Sequence, residues 1–331
     1  MSALTIKKAV ETLQAGGLVA LPTETVYGLG ADAANPEAVA GIFAAKGRPA
    51  DHPLIVHLAN AAFLAQWAED IPQPAWALAA VFWPGPLTLI LKKQPWVPLA
   101  VTGGQDTVGL RVPAHPLTQE LLTAFAAAKA PEAAGIAAPS ANRFGRVSPT
   151  TAAHVREELG NEVSLILDGG PCVVGIESTI VDFSRDVPEI LRPGAISPDD
   201  IARVIGVSVS SSMGKGKLPI PRVSGSLAVH YAPLTPLRLV ASGALAGEVA
   251  RLARVGRRVA VLAYSPCASH DPALAFHWQT MMPEPAAYAR ELYANLRILD
   301  ALGTEIILVE AVPPEPAWQA IADRLSRAAA G

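Results

Sequence analysis

The sequence predicts an α/β protein: an N-terminal twisted, mixed-sheet α/β domain over residues 1–206, a Ser/Gly/Pro-rich linker over 207–236, and a small C-terminal Rossmann-like α/β domain over 237–331. Three observations predict it. Helix-like and strand-like apolar periods alternate through the first two hundred residues. Several of those strands follow one another without an intervening helix, which a mixed sheet allows and an all-parallel one does not. From Gly206 the texture changes to "VSVSSSMGKGKLPIPRVSGSLAVHYAPLTP", which has no sustained apolar period, before the alternation resumes.

In order, an amphipathic helix is expected over Ile6–Gln14, stopped by Gly16-Gly17, and then a strand "GLVALP". A helix "PEAVAGIFAAK" follows, with Asn35 as its cap and Pro36 at its first position. Next come strand "PLIVHLA", two helical stretches around Trp67 and Trp76, strands "LTLILKK" and "TVGLRVP", and a helix from Pro116. Strand "GIAAPS", a helix from Thr150 and strands "VSLILDGG" and "ESTIVDF" complete the first part. Past the linker the expected order is strand "LRLV", helix Ala244–Arg254, strands "RRVAVLAY" and "ALAFHW", helix Glu284–Leu302, strand "EIILVEA" and a helix from Pro316.

Composition bounds the function. The chain has 331 residues, 51% of them hydrophobic, enough for two cores. No apolar run reaches the roughly 18 residues of a membrane span, and the N-terminus lacks a signal-peptide core, so a cytoplasmic protein is expected. The two cysteines, Cys172 and Cys267, have no C-x-x-C spacing, which argues against a disulfide framework or a cysteine zinc site. Residues 1–206 hold 14 Lys and Arg against 20 Asp and Glu; residues 207–331 hold 12 against 9. Neither part is a basic nucleic-acid footprint. H-E-x-x-H, G-x-S-x-G and G-x-x-x-x-G-K-[ST] are all missing.

The pattern Gly28-x-Gly30-x-x-Ala33, with Asp51 about twenty residues on, fits a dinucleotide-binding fingerprint. Its context does not. Pro22-Thr23-Glu24-Thr25 separates the strand from the glycines, the best helix start comes after them, and Asp51 precedes the next strand. The segment is better read as a strand delivering Thr-Glu-Thr to a sheet edge, or as a turn that hydrogen-bonds itself.

Other segments carry clustered polar groups. Lys46 closes a helix, where a lone lysine commonly complements the dipole, but Arg48 after one residue makes a pair of cations suited to a polyphosphate. His57 in an apolar strand reads by itself as a core histidine. In "DTVGLRVP" alternation puts Thr107, Gly109 and Arg111 on one face, where the glycine leaves room beside an arginine fit for a carboxylate or a structural ion pair. "APSANRFGRVSPT" delivers Ser140 and Asn142 from a strand and Ser148-Pro149-Thr150 to a helix start, a natural anion or nucleotide turn. "GIESTIVDF" and "EILRPGAIS" add Glu177, Ser178, Thr179 and Arg192 near strand ends.

Taken together, "PTETVYGLG", "KGRP" with "PLIVH", "WPGPLT", "TVGLRVP", "PSANRFGRVSPT", "GIESTI" and "LRPG" closely resemble the L-threonylcarbamoyladenylate synthase family over Leu21–Gly194. "SGSLAVHYAP" and the Rossmann-like tail resemble its two-domain branch. The resemblance implies a nucleotidyltransferase that condenses L-threonine, bicarbonate and ATP, with Mg2+, into threonylcarbamoyl-AMP and pyrophosphate. A separate complex would then transfer the threonylcarbamoyl group to tRNA beside the anticodon; neither stable nucleic-acid binding nor a membrane is expected. By resemblance Lys46 and Arg48 face the phosphates and carry catalysis, and Thr107, Ser140, Asn142, Ser148, Arg192 and Tyr231 serve the nucleotide. Thr23, His57, Arg111, Ala138 and Ser178 hold threonine, while His230 and Tyr231 close a linker lid. The chain departs from the family's usual Asn at His52 and from its frequent Ser at Phe144. Two competitors remain: a non-catalytic double-stranded-RNA-binding module, and a nicotinamide or flavin oxidoreductase.

Overall fold

The computed structural model describes residues 3–129, 133–209, 220–267 and 276–331. Parts of the expected linker (210–219), the start of "ALAFHW" (273–275) and the first two residues lie outside the described residues. Two compact units form, one from Met1–Phe144, Pro149–Val173 and Glu177–Ser226, the other from Gly145–Ser148, Val174–Ile176 and Leu227–Gly331. Of the linker, residues through Ser226 belong to the first unit and those from Leu227 to the second.

The first unit is built on nine strands: β1 (Val19–Leu21), β2 (Gly28–Asp32), β3 (Ile55–His57), β4 (Leu87–Lys92), β5 (Thr107–Arg111), β6 (Ile136–Ala137), β7 (Leu165–Ile166), β8 (Thr179–Asp182) and β9 (Glu189–Arg192). Their order is β7-β1-β2-β6-β3-β5-β4-β8-β9. Pairs β1/β7, β3/β5 and β4/β8 are parallel and the others antiparallel, the mixed sheet that the consecutive strands predict. The β3/β5 register sets His57 beside Arg111.

The glycine pattern proves to be sheet packing. Gly28 and Gly30 lie within β2, opposite Leu21 and Val19 of β1. A Cβ on Gly30 would fall 2.8 Å from both Leu21 and Ile136, and one on Gly28 3.2 Å from Ala138. Close strand and side-chain approach, not a pyrophosphate, requires these glycines. Gly109 is similar: the space its missing side chain leaves is lined by Ile90, Ile55 and Thr88.

The helix Pro36–Lys46 forms as its caps dictate. Asn35 Oδ1 accepts from Glu37 N and Ala38 N at 3.0 and 3.2 Å, and Gly47 ends it at φ 61°. The helix after "VSPT", expected from Thr150, begins two residues later, at Ala152. Thr151, not Thr150, is its cap, accepting from His154 N at 3.3 Å. Pro198–Ile205, not expected from the sequence, is a helix opened by a Ser197/Asp200 capping box and ended by Gly206.

The second unit holds four parallel strands, β10 (Leu237–Val240), β11 (Val259–Ala263), β12 (Phe276–Thr280) and β13 (Ile306–Glu310), in the order β10-β13-β11-β12. At their carboxyl ends, where such folds commonly seat ligands, the fully buried Glu310 carboxylate accepts from Ser242 Oγ, Ser265 Oγ and the amides of Tyr264 and Ser265, the latter two at 2.9 Å. The protein's own carboxylate occupies this nest of donors. Glu310→Ala leaves these donors without their buried acceptor, and a loss of roughly 1–3 kcal/mol is expected; urea unfolding of the variant checks it.

Candidate active site

At the end of the helix Pro36–Lys46, Lys46 is 3% exposed, and its Nζ donates to Ser140 O at 2.6 Å and to Asn142 O. Phe144 N returns a bond to Lys46 O at 2.8 Å. Burial, with Arg48 adding to it, holds the ammonium well below the ordinary lysine range. Lys46 therefore staples the 140–144 turn to the helix end and brings Ser140 and Asn142 to one place.

Arg48 is joined to Arg192 through Ser224, a residue of the Ser/Gly/Pro-rich linker. Arg48 Nη2 donates to Pro53 O at 2.9 Å and to Ser224 Oγ at 3.1 Å, while Arg192 Nη1 donates to Ser224 O at 2.8 Å. Arg192 also grips Ser178 twice, through Nε to its carbonyl and Nη2 to its hydroxyl, both at 3.0 Å; Ser178 Oγ meets Thr88 Oγ1 at 2.8 Å. Two buried guanidiniums thus flank one serine. Val223 beside it packs on Ile55, Ile90, Ile180 and Leu191, and Thr107 lines the same groove as Arg222 and Ser224. The apolar register of "PIPRVSG" was the available signal.

Arg111 is 4% exposed. Its Nη2 donates to Glu24 Oε1 at 2.6 Å and its Nε to Gly85 O at 3.2 Å, while Glu24 Oε2 accepts from Ala114 N at 2.9 Å. Glu24, the middle residue of Thr-Glu-Thr, is thus the buried ion-pair partner of Arg111, a pairing that spacing along the chain does not give. Thr23 is committed to its own turn: its hydroxyl donates to Val26 O at 2.6 Å and accepts from Val26 N at 3.2 Å. Ala138 lies nearby in the sheet, donating to Ile55 O at 2.9 Å.

His57 is 3% exposed and its Nδ1 has no hydrogen-bond partner among the described residues. Burial, then Arg111, pushes its pKa down to about 3. The unfolded chain takes up this proton near 6.5. Stability from this group is present above that pH and drains as pH falls toward about 3, by up to roughly 1.4 kcal/mol per pH unit. Urea unfolding at two pH values below neutrality should show wild type losing more than His57→Asn.

Ser148, His230 and Tyr231 belong to the second unit. Tyr231, at φ 63° and 1% exposed, stacks on Tyr293 at 5.7 Å, meets His230 edge-on at 4.1 Å, and lies under the Arg324 guanidinium at 5.3 Å. The two departures touch each other: the His52 and Phe144 rings are 5.4 Å apart, edge to face. Cys172 and Cys267 are free thiols. Among the described residues no helix is long and apolar enough to cross a membrane.

Residues 11–194 match the Sua5/YciO/YrdC family, described as "Telomere recombination". Residues 196–330 match the family "Threonylcarbamoyl-AMP synthase, C-terminal domain". The threonylcarbamoyl-AMP synthase of Pyrococcus abyssi is 38% identical over 330 residues, covering 98% of this chain and 93% of that protein. The Bacillus subtilis threonylcarbamoyl-AMP synthase is 38% identical over 331 residues, with the same coverage of 98% and 93%. The crystal structure of P. abyssi Sua5 complexed with L-threonine matches with a TM-score of 0.87 at 37% identity, over 99% of this chain and 95% of that one. With both halves matched in order and nearly the whole length shared, the chain belongs to the threonylcarbamoyl-AMP synthase family in its two-domain form.

Proposed function

We propose that this chain condenses L-threonine, bicarbonate and ATP into L-threonylcarbamoyl-AMP, pyrophosphate and water, the first step of threonylcarbamoyladenosine modification of tRNA next to the anticodon. One observation carries the reading: Lys46, Arg48, Arg111 and Arg192 are all buried in one unit, held by the hydrogen bonds they donate to neighbouring backbone and side chains. Desolvated cations in fixed positions suit a reaction whose partners are a carboxylate, a carbamate and a triphosphate.

The threonine amine forms a C–N bond to the bicarbonate carbon, expelling water and giving a carbamate. A carbamate oxygen then attacks the α-phosphorus of ATP, and the bond from that phosphorus to the β-bridging oxygen breaks. Pyrophosphate leaves with the electron pair. The chemistry demands alignment and charge neutralisation more than proton transfer, which buried cations supply without reorganising.

In this reading Lys46 and Arg48 serve the phosphates and the reacting centre; Thr107, Ser140, Asn142, Ser148, Arg192 and Tyr231 serve the nucleotide. Thr23, His57, Arg111, Ala138 and Ser178 serve threonine. The orphaned, neutral His57 Nδ1 suits a substrate donor, and Arg111, whose Nη2 and Nε already bind Glu24 and Gly85, would meet the threonine carboxylate with the rest of its fork. His230 and Tyr231 would exclude water from the mixed anhydride. Among the described residues no three His, Cys, Asp or Glu side chains converge as a cation cage, so Mg2+ is proposed to arrive on the phosphates of ATP. The product would pass to a separate tRNA threonylcarbamoyl transferase complex.

Mass spectrometry of the reaction with isotopically labelled bicarbonate tests the proposal. An adenylate carrying the label in its carbamoyl carbon is expected; AMP alone, without a labelled adenylate, would overturn it.

A further inference from the structure

Two residues proposed for the nucleotide, Ser148 and Tyr231, and the proposed lid residue His230 sit on two segments of the second unit far apart in sequence, Gly145–Ser148 and Leu227 onward. What joins those segments is specific. Ala232 N donates to Gly145 O at 2.9 Å, and Arg146 and Ala232 form a parallel bridge. The carboxylate of Asp300, at the end of the helix Pro285–Asp300, accepts from Thr235 N at 2.7 Å, Leu234 N at 2.8 Å and Arg146 Nη2 at 3.3 Å. One turn earlier on the same helix, Arg297 Nη2 donates to Val147 O. The last turn of one helix thereby holds both segments.

We propose that Asp300, assisted by Arg297, is a positioning residue of the synthase: it locks the Gly145–Ser148 turn and the His230-Tyr231 segment into one arrangement, on which the affinity for ATP depends. The proposal rests on the assignment of Ser148 and Tyr231 to the nucleotide. Physically, a carboxylate with two amide donors and a guanidinium resists rotation and replacement. Asparagine at 300 loses the charge and turns an NH2 toward at least one donor, so the lock opens while the side-chain volume stays. A purely structural role would lower folded fraction and turnover for every substrate alike. A positioning role acts on ATP and spares threonine.

The test uses the full-length enzyme with Asp300→Asn and, where that variant melts below the assay temperature, Arg146→Ala. Hydrogen–deuterium exchange should quicken at 145–148 and 231–235 in either variant. The KM for ATP should rise about tenfold in Asp300→Asn, one charge-assisted hydrogen bond's worth, with the KM for L-threonine within twofold of wild type. Combining Asp300→Asn with Arg146→Ala should be no worse than Asp300→Asn alone, because both substitutions open the Arg146–Asp300 contact. Unchanged exchange in the two segments, or ATP and threonine constants rising together, would overturn the proposal. A wild-type enzyme without pyrophosphate release would instead overturn the assigned reaction, and the exchange result would still decide whether Asp300 is the lock.

Discussion

Arg111→Ala is expected to abolish L-threonine-dependent pyrophosphate release, with a loss of at least about a hundredfold. Two effects add. The threonine carboxylate loses the cation proposed to hold it, and Glu24 is left buried with only the Ala114 amide. An unpaired buried carboxylate costs about 3–5 kcal/mol, so the variant should also melt early. Arg111→Lys separates the two: it keeps the charge, but a point ammonium cannot span Gly85 O and Glu24 Oε1 as the guanidinium does. It should remain folded while its KM for threonine rises by more than about tenfold. Steady-state kinetics with threonine varied checks this, and a threonine KM unchanged in Arg111→Lys would remove Arg111 from the threonine site.

Lys46→Ala is the second large effect. Its Nζ holds the carbonyls of Ser140 and Asn142, so alanine both removes a cation from the proposed phosphate site and frees the turn that carries two residues proposed for the nucleotide. Two lost charge-assisted bonds correspond to roughly 3–6 kcal/mol, and a fall of at least about a hundredfold in turnover per bound ATP is expected. Threonine binding, which uses other residues in this account, should survive. Lys46→Arg should not restore activity, because a forked group does not fit where a compact ammonium sits between two carbonyls. Calorimetric titration of ATP and of threonine into the variants separates these outcomes.

The sequence made the first unit's architecture legible wherever apolar period and caps agreed, as at Asn35-Pro36 and "TVGLRVP". It missed β2 because Gly28 and Gly30 suppress strand propensity, and only the three-dimensional approach of Leu21 and Ile136 explains them. The helix Pro198–Ile205 was visible in "SPDDIARVI", with a capping box and Ile201, Val204 and Ile205 on one face, but eight residues make a faint period. Among site residues, cations stood out by charge within apolar strands. Their partners did not: Glu24 looked like any turn carboxylate, Ser224 like linker filler, and Asp300 like a helix end. Which residue completes which cation depends on pairing between distant segments, which spacing along the chain does not encode. The linker's division at Ser226 and Leu227 was hidden for the same reason, since composition there is uniform.

The most direct test is pyrophosphate release from ATP by the purified protein, with L-threonine and bicarbonate each supplied or omitted. Threonylcarbamoyl-AMP synthase activity requires release only when both are present. Release that is indifferent to threonine, or none in any combination alongside tight, salt-dependent double-stranded-RNA binding, would contradict it.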